Sequence, residues 1–157
     1  MANVRKAETK DINQLTELMY EYIVDFYQRP KPPIEKVHQL FYTLLNQKEG
    51  SQFVVEQDEK LVGFATLYFT YDTLFAQKVA ILNDLYVTEE ARGTDVANEL
   101  FQACNNFAKE NDYAYMSWLT ANDNKRAQSF YEKMGATSEG WIHYSIQMNK
   151  MTSSLVK

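Results

Sequence analysis

Two histidines and one cysteine stand among 157 residues, and each scarcity closes a class. A single cysteine forms no intrachain disulfide, so no disulfide framework holds this chain together. His38 and His143 lack metal-ligand spacing to each other, to Cys104 or to carboxylates, and no metal is expected. No Ser-His-Asp or Cys-His arrangement for nucleophilic catalysis can be drawn. No apolar run approaches the ~20 residues that a membrane helix needs. The opening Met1–Glu8 lacks the apolar centre of a signal peptide, so the expected location is cytoplasmic. Basic residues are outnumbered, 16 Lys and Arg against 21 Asp and Glu, for a net charge of −5. Without a Lys/Arg cluster, neither nucleic acid nor a membrane surface is an expected partner. A surplus of carboxylates favours a cationic substrate such as an amine.

What is present is apolar and aromatic: 45% hydrophobic residues and 14% aromatic exclude a disordered chain. The length fits one domain, expected over 1–150, with a tail at 151–157. A first strand is read at Asn3–Ala7. Asp11 is the expected N-cap of a helix carrying Ile12, Leu15, Leu18, Met19, Tyr22, Ile23 and Phe26, broken by Arg29–Pro33. A second helix carries Val37, Leu40, Phe41, Leu44 and Leu45. Strands follow at Phe53–Val55 and Leu61–Phe69, joined by the polar turn Gln57–Lys60, and then at Val79–Val87. Further elements are a helix to about Glu110, a strand at Tyr115–Leu119, a helix at Asn124–Met134 and a strand at Trp141–Met148. The order implies a mixed α/β fold. Cys104 falls on the apolar helix face with Val96, Leu100 and Phe107, as a reduced core residue.

The stretch Ile81–Leu100 concentrates the chemistry. An apolar strand ends in a turn carrying Arg92-Gly93, and a helix begins at once. A helix start offers unpaired N–H groups and the positive end of the macrodipole, which together suit a phosphate. About 30 residues on comes Asn124-x-x-Ala127-x-x-x-Tyr131, then Gly135-Ala136. Arg92-Gly93-Thr94-Asp95-Val96-Ala97 followed by this second motif resembles the GCN5-related N-acetyltransferases (GNAT), with some similarity to the polyamine and diamine branch around Leu67–Asp72 and Asn83-Asp84-Leu85.

That resemblance implies a GNAT fold, with a mixed central sheet of about six to seven strands flanked by about four helices. It implies acetyl-CoA as co-substrate and direct attack of an amine on the bound thioester. The backbone of Gly93, Thr94, Asp95, Val96, Ala97 and Asn98 would cradle the pyrophosphate, with Arg92 opening the loop and adding charge. Leu85, Tyr86 and Val87 would lie along the pantetheine arm, with the Leu85 N–H on the thioester carbonyl, and Asn124 would hold the pantetheine amides or only cap its helix. Tyr131 would protonate the departing thiolate, and Asp84 would take the amine's proton or merely cap a bulge or pair with a lysine. Tyr27, Tyr68, Tyr71, Asp84, Trp118 and Tyr144 are candidates for the acceptor pocket, where aromatic faces suit an alkylammonium group. Asp95 replaces a family glycine; its carboxylate either turns to solvent and complements the helix dipole or weakens cofactor binding. The expected activity is acetylation of a small-molecule amine. The rivals are acetylation of a protein N-terminus or lysine, and a non-catalytic acyl-CoA-binding module. Dimers are common in the family, which makes a homodimer an expected assembly.

Overall fold

The structure, a computed structural model, describes residues 2–138 and 140–148. The chain divides into two compact units, one running to Trp118 and the other starting at Leu119. The tail at 151–157 lies outside the described residues.

The first unit is built on a sheet in the order β1 (Ala2–Lys6), β2 (Gly50–Gln57), β3 (Lys60–Asp72), β4 (Gln77–Val87), β5 (Met116–Ser117). The first four strands are antiparallel neighbours, and β5 joins β4 in parallel at Ala80 and Ile81. The β2–β3 connection is a two-residue turn at Asp58 and Glu59, both in the left-handed region with φ of 53° and 64°. Such a turn matches the right-handed twist of the strands it joins.

Successive strand residues face opposite ways, so each strand serves two layers. Val54, Leu61, Phe64 and Tyr86 meet α1 (Ile12–Tyr20) and α2 (Ile34–Leu45) through Leu15, Leu18, Met19, Val37 and Phe41. Phe53 and Phe69 point to the other layer, where their rings lie 5.8 and 5.7 Å from Phe107 of α3 (Val96–Glu110). Leu100 and Cys104 of α3 are fully buried, so Cys104 is a core residue. Each such side chain contributes about 1.5–3 kcal/mol through burial.

Three features depart from the expected elements. The first helix is not continuous to Phe26: α1 ends at Tyr20 and Glu21–Phe26 winds as a π-helical turn. Wider bonds mark the change, Tyr27 N–H to Tyr22 O at 3.1 Å and Arg29 N–H to Ile23 O at 2.9 Å. Asp11 does not cap α1 with its side chain. Its carboxylate accepts from the Glu8 N–H at 2.7 Å and from the Arg5 guanidinium at 2.8 and 2.9 Å. A buried carboxylate gains more from a bidentate guanidinium than from one helix N–H.

The third departure concerns the strands. Among the described residues the sheet has five strands rather than six to seven, β5 is two residues long, and 141–148 forms no strand. The alternation Ile142, Tyr144, Ile146, Met148 is present, yet these residues are 76–85% exposed. Alternation specifies a face to be buried; a strand also needs a neighbour to complete its ladder, and none is paired with it among the described residues.

In the second unit, α4 (Lys125–Lys133) starts where Asn124 Oδ1 accepts from the Ala127 N–H at 3.1 Å. It ends in a Schellman motif: Ala136 N–H donates to Tyr131 O at 3.1 Å and Gly135 N–H to Glu132 O at 3.0 Å. Gly135 has φ of 91°, a conformation that glycine adopts without a Cβ clash.

Candidate active site

The site in the first unit begins with an irregularity in β4. Thr66 pairs with Asp84 and Leu67 with Leu82, which leaves Asn83 as an extra residue. Such a bulge re-aims neighbouring side chains, and bulges concentrate at active sites. Asp84 is turned inward here and is only 9% exposed. Its Oδ2 accepts from Asn83 Nδ2 at 3.1 Å. Thr66 faces the same carboxyl, and its hydroxyl and N–H draw the pKa down. Neither closes a well-formed bond to Oδ1, which is buried without a hydrogen-bond partner. Burial outweighs the donors, and the carboxyl pKa is pushed up to about 6.

Phenols surround this carboxyl. Tyr22 comes from the π-helical turn, with its ring edge-on to Phe64 at 5.6 Å, Tyr86 at 5.7 Å and Tyr27 at 5.0 Å. Burial raises the Tyr22 pKa, and the nearby Asp84 charge raises it further. Tyr68, on β3, is pushed up to about 12 by burial and then by Asp84. The Cys104 thiol from α3 is raised to about 12 by the same two causes, so it stays a neutral thiol. Asp84 is thus the group in this cluster that changes charge near neutral pH.

The loop after β4 is organised by Arg92. Its Nε donates to Val87 O at 3.0 Å, and its guanidinium lies over Phe26 at 5.6 Å and Tyr86 at 5.7 Å. Tyr86 in turn donates its hydroxyl proton to Glu21 at 3.2 Å. Gly93 turns the chain with φ of 82°. Thr94 donates to Ala91 O at 2.5 Å, and α3 starts at Val96. Asp95 is exposed, and its Oδ1 accepts from Asn98 Nδ2 at 3.4 Å.

The predicted residues separate on this geometry. Tyr27, Tyr68, Asp84, Leu85, Tyr86 and Val87 share the β4 neighbourhood with the loop Arg92–Asn98. Tyr71 lies farther along β3 and is 70% exposed, with Lys78 above its ring. Trp118 packs edge-on against Phe101 at 5.1 Å. Tyr131 sits on α4 with its ring 5.7 Å from Phe130, and Tyr144 is 84% exposed; both belong to the second unit with Asn124. The residue that sequence reading missed is Tyr22. Helical periodicity marks it as core, and the signal that distinguishes it is the π-helical register, which periodicity does not report.

Residues 15–136 match the model of the Acetyltransferase (GNAT) family. The chain belongs to the GNAT acetyltransferase family. It is 27% identical over 147 residues to the Uncharacterized N-acetyltransferase YhfO of Bacillus subtilis (strain 168), covering 93% of this chain and 97% of that one. It is 33% identical over 107 residues to Spermidine/spermine N(1)-acetyltransferase-like protein 1 of Homo sapiens, covering 65% of this chain and 15% of that one. The crystal structure of a probable acetyltransferase superposes with a TM-score of 0.80 at 28% identity, covering 94% and 99% of the two chains. This GNAT protein is an acetyl-CoA-dependent N-acetyltransferase. The β4–α3 region suits that cofactor. Among the described residues β4 has no strand on its outer edge beyond Ile81, and a Cβ built on Gly93 meets nothing within 4 Å. No helix among the described residues is long and apolar enough to cross a membrane.

Proposed function

We propose that this GNAT protein acetylates a small-molecule primary amine by direct attack. The observation that carries the reading is the buried Asp84 carboxyl, with Oδ1 unpartnered, beside the phenols of Tyr22 and Tyr68. Asp84 is the proton acceptor. With a pKa near 6 it is ionised at pH 7.5, yet more basic than an ordinary aspartate. Its free oxygen is the one that receives the ammonium N–H. Tyr22, Tyr27 and Tyr68 offer aromatic faces to the cation and exclude water, which favours the neutral amine that attacks.

Coenzyme A supplies the acetyl group as a thioester. The Leu85 N–H is assigned to the oxyanion, and Tyr131 donates its hydroxyl proton to the departing sulfur. Arg92 braces the loop, and the backbone from Gly93 to Asn98, with the start of α3, holds the pyrophosphate. Tyr86 and Val87 contribute main chain to the pantetheine arm.

The test is acetyl-CoA binding by calorimetry together with turnover on a panel of small amines, for the wild type and Asp84→Asn. Turnover that falls by about 10²-fold or more in Asp84→Asn, with cofactor affinity retained, is expected. Equal turnover removes Asp84 from the chemistry. Turnover confined to protein N-termini or lysines overturns the small-molecule reading.

A further inference from the structure

Three buried polar residues lie in one row across three adjacent strands of the sheet. Gln52 of β2 pairs with Thr66 of β3, and Thr66 pairs with Asp84 of β4. All three are buried, Gln52 at 4% exposure and Thr66 at 1%. Phe64 and Thr66 share a face of β3 by the pleat, as do Val54 and Gln52 on β2, so this row continues the wall formed by α1 and α2. A buried amide and a buried hydroxyl cost stability unless they are paired, and these two are: Gln52 Nε2 donates to Thr66 Oγ1 at 3.1 Å. The Gln52 main-chain carbonyl accepts from the Ala7 N–H at 2.9 Å, which ties β2 to the chain just past β1.

The bond has a direction, and the direction has a consequence. An amide NH₂ group only donates, so Thr66 Oγ1 is the acceptor in that bond. The hydroxyl's single proton is then free to point at the other polar group facing it, the Asp84 carboxyl. We infer that Gln52 and Thr66 are positioning residues for the acetyl transfer: they form a buried donor chain that orients the Thr66 hydroxyl proton onto Asp84 and steadies the carboxylate for its work as base. This rests on the reading of Asp84 as proton acceptor. No proton passes along the chain, since the Gln52 amide neither gains nor loses one; its role is to fix a dipole.

The groups that face Asp84 are the Tyr22 phenol from the π-helical turn, Tyr68 and Thr66 from β3 and Asn83 from β4, while the Cys104 thiol of α3, in the layer across the sheet, senses its charge. The phenols and the thiol are held neutral across the physiological range, so a movement in the titration here reports Asp84. Tyr27 bonds the Tyr22 hydroxyl and stands one step removed.

The experiment measures the folded-state pKa of Asp84 from the pH dependence of urea-unfolding free energies. Each variant is compared with the same variant carrying Asp84→Asn, and pH–rate profiles are taken in parallel. Thr66→Val keeps the branched shape and removes the hydroxyl; it is expected to raise the Asp84 pKa by on the order of one unit. Acetylation at pH 6 should then fall by up to about tenfold while the rate at pH 8.5 is largely kept. Thr66→Ser should restore both values. Gln52→Leu should move them in the same direction by less, and it carries the test if Thr66→Val does not fold. An unchanged Asp84 pKa in Thr66→Val and Gln52→Leu overturns the donor chain. A shifted pKa with an unshifted rate profile leaves the chain in place and instead overturns Asp84 as the base.

Discussion

Asp84→Asn should make the protein more stable at neutral and alkaline pH while removing its proton acceptor. The carboxyl titrates near 6 in the folded chain against 3.8 ordinarily, because burial disfavours its charge. A folded-state pKa raised in this way contributes stability that is fully present below the unfolded value and is lost as pH rises through the folded one. The native state therefore bears the cost of the charge at pH 8 and escapes most of it near pH 4. The two pKa values give a cost on the order of 1–2 kcal/mol at pH 5 that grows to on the order of 3 kcal/mol at pH 8. Asparagine matches the shape, and its oxygen still accepts from Asn83, but it carries no charge at any pH.

Effects of the substitution that do not depend on pH cancel when the two proteins are compared across a series. The difference in unfolding free energy, asparagine minus aspartate, should grow by on the order of 1–2 kcal/mol between pH 5 and pH 8 and then level off. Urea unfolding followed by circular dichroism resolves that much. A difference flat across the range would refute the argument, since it would mean that Asp84 titrates alike in the folded and unfolded chains. A difference shrinking toward alkaline pH would mean that the carboxylate has a cationic partner in the folded state.

Three further perturbations probe other parts of the molecule. Tyr131→Phe should lower kcat by about 10²-fold with acetyl-CoA affinity unchanged, as read by steady-state kinetics beside calorimetry; an unchanged kcat removes Tyr131 from the leaving-group step. Asp95→Gly should tighten acetyl-CoA binding by a few-fold, since it deletes an exposed carboxylate beside the start of α3. Weaker binding in calorimetry would mean that the Asn98-to-Asp95 bond is needed to set the loop. Phe41→Ala empties a position that is 1% exposed in the α1–α2 layer and should destabilise the fold by about 3–5 kcal/mol in urea melts; a loss below 1 kcal/mol would mean that this layer closes over the void.

Where a signal is local, the sequence carried it into the fold. The apolar run read at Val79–Val87 is β4, the helix that follows ends at Glu110 as expected, and Asn124 and Gly135 bracket α4 through cap chemistry visible in the residues themselves. The departures share one origin, which is that they depend on a partner. Ser51 and Gln52 are polar and fall outside the strand read at Phe53–Val55, yet pairing with β3 carries β2 back to Gly50 and buries them at 1% and 4%. The alternation at 141–148 is as clear as any in the chain and has no paired neighbour among the described residues. Tyr22 has the spacing of a core residue, and only the π-helical turn brings it to Asp84.

The candidate site is the extreme case of that dependence. Asp84 is legible as the carboxylate of its strand, but a strand carboxylate by itself is as good a cap as a base. Its chemical character comes from what stands across from it. The bulge at Asn83 turns it inward, the register of β3 sets Thr66 opposite, and the register of β2 sets Gln52 behind Thr66. These residues lie 14 and 18 positions apart, with no motif linking them. A register slip of one residue between β3 and β4 would take the hydroxyl off the carboxyl's face, and one between β2 and β3 would take the amide away from the hydroxyl. The basicity of this site is therefore a property of strand pairing, and substitutions that shift β2 or β3 without touching Asp84 should move its pKa.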